Sequence, residues 1–184
     1  MPSKPSTRPR PSKAELAAAA GRTIEDVITL GLDILFVGIN PGLWSGLTGF
    51  HFANPANRFW RAIHAAGLVD RVLDPSEQRE LLRSGIGIVN LVPRTTASAA
   101  ELTRDELREG GSALVRRLER YRPGTVAFLG ISTYKVAFDT PAIEVGRQPE
   151  PLAGAVVWVL PNPSGLNATW TLPRLAEAYA ALRE

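Results

Sequence analysis

The sequence predicts an α/β protein, a three-layer α/β/α domain around a central, mostly parallel sheet of four strands. Four short runs, "DILFVGI" (33–39), "GIGIVNLV" (85–92), "TVAFLG" (125–130) and "AVVWVLP" (155–161), are continuously apolar and rich in β-branched residues, as strands buried on both faces are. Helical segments separate them, the order expected of parallel strands joined by right-handed crossovers. The 184 residues are 45% hydrophobic, enough for one sizeable core, and no repeat or composition break divides them.

In chain order, residues 1–13 ("MPSKPSTRPRPSK") read as a disordered basic tail and residues 14–184 as the single domain. The tail has no apolar core segment, so it is neither a secretory signal nor a membrane anchor. "KAELAAAAGR" reads as a short helix and "IEDVI" as a further helical turn. After the first strand, "NPGLWSGLTGFHF" reads as a glycine-rich loop, and "ANRFWRAIHAAGL" and "PSEQRELLRSG" as helices. "TRDELREGGSALVRRLERY" follows the second strand, "ISTYKVAF" the third and "TLPRLAEAYAALRE" the fourth, each read as a helix.

Composition excludes several chemistries. There is no cysteine, which rules out disulfides, thiolate zinc sites and cysteine nucleophiles and is compatible with a cytoplasmic location; two histidines cannot build a His-rich metal centre. No apolar run reaches the roughly 18 residues that would cross a bilayer, so a soluble protein is expected. The isoelectric point near 9.7 suggests a polyanionic partner. Lys4, Arg8, Arg10 and Lys13 give the tail +4, however, leaving 17 basic against 18 acidic residues elsewhere. The excess charge is a property of the tail: an arm that touches phosphates, or a solubilising terminus.

Ligands of open parallel sheets bind outside the carboxyl ends of the strands. Three of those ends carry an amide: Asn40 in "GINPG", Asn90 in "GIVNLVPRTT" and Asn162 in "PNPSGLN". Any one alone reads as a turn former. Three together, with no acid, cysteine or histidine triad beside them, form a site that donates and accepts hydrogen bonds but takes no proton. Such a site suits reading a flat heterocycle, holding a water, and a dissociative reaction. Phe50 and Phe52 alternate in the adjoining loop; Phe52 is the candidate to stack on a flat ligand and Phe50 to pack in the core. By the same alternation His51 is exposed or structural, and His64 is a satisfied helix histidine rather than a ligand. Leu166, at the tip of a Pro-Ser-Gly turn, is either a staple onto the next helix or an apolar wedge for a base stack.

Together these residues resemble the mismatch-specific uracil/thymine DNA glycosylase family of the uracil-DNA glycosylase superfamily, and within it the bacterial mismatch-specific uracil-DNA glycosylases. The resemblance covers about residues 31–183, with "GINPG", "TGFHFANPANRFW", "GIGIVNLVPRTT" and "VLPNPSGLN" in the family's order and spacing. It implies a monomeric enzyme that acts without metal or cofactor on double-stranded DNA containing a mismatched or damaged base. Asn40 would position the attacking water, Ser45 would be a pocket serine and Asn162 would face the leaving group. Ile39 and Gly42 would lie against the base, Phe52 would stack on it and Asn90 would read its edge. Gly165, Leu166 and Asn167 would enter the duplex and meet the opposite guanine. The implied reaction is hydrolysis of the N-glycosidic bond of a flipped uracil opposite guanine, with ethenocytosine and, more weakly, thymine as further substrates. The chain departs from the family at Pro93, where an acid is usual, and at Ala168, where a bacterial relative has arginine. The loss of the acid makes a weakly active or inactive lesion-binding module the alternative.

Overall fold

A computed structural model describes residues 10–141 and 143–183. Most of the basic tail, residues 1–9, lies outside the described residues. Its end does not: the Ser12 hydroxyl accepts the Glu15 amide, and the Glu15 carboxylate returns to the Ser12 amide at 2.7 Å, a capping box that starts helix α1 (Lys13–Ala17).

The sheet has five strands: β1 (Ile34–Gly38), β2 (Ile86–Asn90), β3 (Thr125–Leu129), β4 (Gly146–Arg147) and β5 (Val156–Leu160), in the order β2-β1-β3-β5-β4. β1, β2, β3 and β5 are parallel and fall on the four predicted runs. β4 is the addition, a two-residue antiparallel strand on the β5 edge, too short to carry a periodic signal. β1 and β2 are buried along their whole length, which is why they read as unbroken apolar runs.

Side-chain alternation sends Ile34, Phe36, Ile86 and Ile88 to one face, where α3 (Phe59–Ala65) and α6 (Leu172–Ala180) cover them with Phe59, Ile63, Leu175 and Tyr179. Leu35, Val37, Val89, Val126 and Val157 go to the other face, under α4 (Arg104–Tyr121) and α5 (Ile131–Ala137). This is the expected α/β/α sandwich.

Three local expectations are corrected. "IEDVI" is not helical: Val27 pairs antiparallel with Ile88 through bonds of 2.9 and 2.8 Å, satisfying the outer edge of β2. Residues 75–84 form 3-10 turns instead of an α-helix; they bury Gln78 and Leu81, three residues apart, which matches a three-residue turn. The glycine-rich stretch contains a helix, α2 (Leu43–Thr48). Gly49, at φ 81°, closes it by donating to Ser45 O at 2.7 Å, and Gly46 sits where a Cβ would stand 2.5 Å from the Thr95 methyl.

Candidate active site

The carboxyl ends of β1, β2 and β5 open on a cavity of about 610 Å³. Its lining brings together Ile39, Asn40, Gly42, Ser45, Phe52, Asn90, Asn162, Gly165 and Leu166, nine of the ten residues singled out from sequence. The tenth, Asn167, stands behind the rim, where its Nδ2 donates to Asn162 O at 3.2 Å. Among the described residues, none that lines the cavity is an acid, lysine or arginine, and no group of histidines and acids could hold a metal.

Each amide is oriented by its neighbours. Asn40 Nδ2 donates to Thr96 Oγ1 at 2.7 Å and Arg94 O at 2.9 Å, with Pro41 O at 3.3 Å. Only an NH2 group satisfies carbonyl oxygens, so the nitrogen is assigned by its surroundings and Oδ1 is the end left to meet a ligand. Thr96, buried, donates its own hydroxyl hydrogen bond to Ser98 O at 2.8 Å. Asn162 is oriented the opposite way: its Oδ1 accepts the Ser164 amide at 2.9 Å, leaving Nδ2 as a donor. The cavity lining therefore offers an acceptor at the end of β1 and a donor at the end of β5.

Asn90 is buried, and its Nδ2 meets His51 Nδ1 at 3.3 Å. His51 is not exposed: at 2% accessibility its Nε2 contacts Glu25 O at 2.9 Å, and burial lowers its pKa below the ordinary histidine value. A methyl at Gly38 would meet Asn90 Oδ1 at 2.7 Å and the Phe52 ring at 3.3 Å, so the absence of a side chain there lets the amide and the ring converge. Phe52 holds a left-handed backbone at φ 51°, unusual for a bulky residue, and stacks on Phe59 at 4.2 Å and 27°. Ser45 is buried and its hydroxyl accepts the Ala53 amide at 3.3 Å, tying α2 to the Phe52 loop. Phe50 is half-buried and belongs to neither core cluster nor to the cavity, against the expectation of core packing. His64 Nδ1 meets Val69 O at 3.2 Å, as a satisfied helix histidine should.

The rim is built by a residue that sequence reasoning missed. Arg58 reaches from the start of α3 to the loop after β5, donating to Trp170 O and Ser164 O at 2.5 Å and to Asn167 O at 2.8 Å, while its own amide donates to Pro163 O at 3.0 Å. Gly165 presses against the Ala56 carbonyl, where a Cβ would stand 2.6 Å from oxygen. On this clamped loop Leu166 is 96% exposed, so it is no staple. Arg58 stands between "NPAN" and "FW", but nothing in that motif points to what it grips, which lies more than 100 residues away.

A larger groove, about 900 Å³, lies beside α4 and includes Pro93, Arg94, Glu106, Arg117 and Tyr121. It touches Asn90 but neither Asn40 nor Asn162, so the smaller cavity is the candidate site. Pro93 borders this groove and not the amide cavity. No helix among the described residues is long and apolar enough to cross a membrane. A family model described as the uracil DNA glycosylase superfamily matches residues 25–183.

Proposed function

Since this chain belongs to the uracil DNA glycosylase superfamily and is thus a hydrolytic DNA glycosylase, we propose that it excises uracil opposite guanine from double-stranded DNA. Ethenocytosine is a second substrate and thymine a poorer one. The observation that carries this reading is the convergence of three differently oriented amides and the Phe52 ring in one cavity, beside an exposed leucine on a clamped loop.

The reading assigns each group a task. Leu166 fills the gap left by a base rotated out of the helix, at an unstacking cost of a few kcal/mol that is smallest for a mispair. Gly165 and Asn167 meet the opposite guanine. The base lies against the backbone of Ile39 and Gly42, with Phe52 on its face and Asn90 at its edge. The C1′–N1 bond breaks ahead of attack; its electron pair leaves with the base, and the Asn162 N–H group, with Ser45 nearby, favours the developing negative charge. Water held by Asn40 Oδ1 then bonds through its oxygen to C1′, and its proton passes, directly or through solvent, to the departed base anion, leaving an abasic site and a neutral free base. Among the described residues no carboxylate lines the cavity to stabilise the sugar cation, so substrates that flip easily and leave easily are favoured. Pro93 stands outside the cavity, in the groove beside α4. The protein acts as a monomer on this reading.

The test is single-turnover incubation with duplexes carrying uracil, thymine or ethenocytosine opposite guanine, read as alkali-labile strand breaks. Uracil should be released fastest. Asn40→Ala should keep duplex binding and lose at least about a hundredfold in rate, the scale of a misplaced reactant. Tight binding to all duplexes without base release would identify a lesion-binding module and overturn the glycosidase reading.

A further inference from the structure

We infer that His51 is a positioning residue that fixes the direction of the Asn90 amide and thereby sets which base edge the cavity accepts; its second part, base choice, rests on the glycosylase reading above. The argument starts at Glu25 O, an acceptor that can only receive. His51 Nε2, 2.9 Å away, must carry the proton. Burial lowers the pKa of the ring, so it is neutral near pH 7 and Nδ1 is a bare acceptor. Asn90 must then turn its Nδ2 toward Nδ1, 3.3 Å away, and one N–H is used there. The second N–H and Oδ1 remain. Oδ1 stands over Gly38 beside the edge of Phe52, and all three residues line the cavity.

This leaves one donor and one acceptor side by side, the complement of uracil O4 and N3–H. Cytosine presents the reverse pattern, an N4 donor and an N3 acceptor. Protonated His51 would offer N–H from both nitrogens, and donor would face donor at Asn90. The amide would turn over to present Oδ1 to the imidazolium and nitrogen to the cavity, and the match to uracil would be lost.

The surroundings hold the histidine rigidly. Its amide donates to Gln78 Oε1 at 2.8 Å and its carbonyl accepts from Trp60 Nε1 at 3.2 Å. Among charged groups, Asp26 favours the cation and is itself paired with Arg117 at 2.9 Å; Arg117 also donates to Asn90 O at 3.0 Å. The Glu25 carboxylate is engaged by Arg79 at the surface. Burial outweighs both the hydrogen bond to the Glu25 carbonyl and the Asp26 charge, each of which favours the cation, so the ring titrates below the ordinary histidine value.

Two measurements test this. Long-range 1H–15N spectra of the intact protein should show His51 protonated on Nε2 and bare on Nδ1 at pH 7, titrating below 6.5; a proton on Nδ1 at pH 7 would overturn the inference whatever the enzyme does. Single-turnover uracil release should then fall as pH drops through the same titration. His51→Asn, which keeps an acceptor for Asn90 without a titrating ring, should retain uracil preference and lose that pH dependence, whereas His51→Leu should lose the preference. An unchanged pH profile in His51→Asn would also overturn it. Failure of every duplex to release a base would sink the glycosylase reading and base choice with it, while the spectra would still decide the amide's direction.

Discussion

Leu166 is a large apolar side chain held almost wholly in water, and the structure spends an arginine to keep it there. Arg58 forks onto three carbonyls of the Leu166 loop, and hydrogen bonds to charged groups are each worth about 1.5–3 kcal/mol. Arg58→Ala should therefore lower unfolding free energy by about 2–3 kcal/mol, allowing for relaxation of the loop, and slow excision of paired uracil more than of single-stranded uracil. Leu166→Ala touches no packed neighbour; its stability should stay within about 0.5 kcal/mol of the parent, with the same loss on paired substrate. Denaturant melts beside rates on paired and single-stranded uracil separate the two, and equal rate losses on both substrates would remove Leu166 from the wedge role. Leu166 was legible in sequence as an apolar residue where a polar one belongs. Arg58 was not, because a basic residue in a helix start says nothing about carbonyls that arrive from a distant loop.

At the scale of elements, the strand ends were readable because parallel strands buried on both faces leave unbroken apolar runs, and three of the four carry an amide at their carboxyl end. The glycines were harder. Gly110 and Gly111 lie in the interior of α4, against a propensity of about 1 kcal/mol each, and helix was still the right reading because the apolar pattern continues through them. Their purpose is tertiary: a Cβ on Gly110 would stand 2.5 Å from Leu91 O, and one on Gly111 2.9 Å from Ala137 O. α4 rides close on the end of β2, and through Arg117 it also holds the Asn90 carbonyl. Gly110→Ala should gain helix propensity yet destabilise the protein by about 1–3 kcal/mol through overpacking; a thermal melt of the variant at or above the parent's would show that the close approach is not needed. α2 and the Val27 bridge escaped sequence reading for the same reason. Gly42 and Gly49 look like loop residues until they serve as helix caps, and a one-residue pairing has no period.

Across the whole molecule, acid should act through a few groups whose places are now known. The Arg94 guanidinium, with the Thr103 amide, holds the Glu106 carboxyl at about 2, and Arg71, with the Asp74 amide, does the same for Glu77. Unfolded, both would titrate near 4.5. Their stabilisation is therefore complete above pH 4.5 and lost as pH falls toward 2. His51, held neutral by burial, adds a loss of the same sign that begins at higher pH: the unfolded chain takes up a proton below 6.5 before the folded one does. Denaturant stability should be flat from neutral pH down to about 6.5 and decline in two stages below it. Glu106→Gln should reduce the lower stage, and because Arg94 O also holds Asn40, it should slow excision as well.

Sequence by itself determined the fold class, the four parallel strands, and the amide character of the site, because burial on two faces and placement at strand ends are local patterns that a chain displays along its length. It also determined that no thiol chemistry is available, since cysteine is absent. Only the tertiary structure decided which end of each amide faces the cavity, whether Leu166 is buried or exposed, and that His51 and Arg58 belong to the site. Apart from the Asn162 amide, which Ser164 orients locally, those facts depend on partners 26 to 112 residues apart, such as Glu25 O, Asn90 and Trp170 O, and contacts at that separation leave no period in the sequence to read.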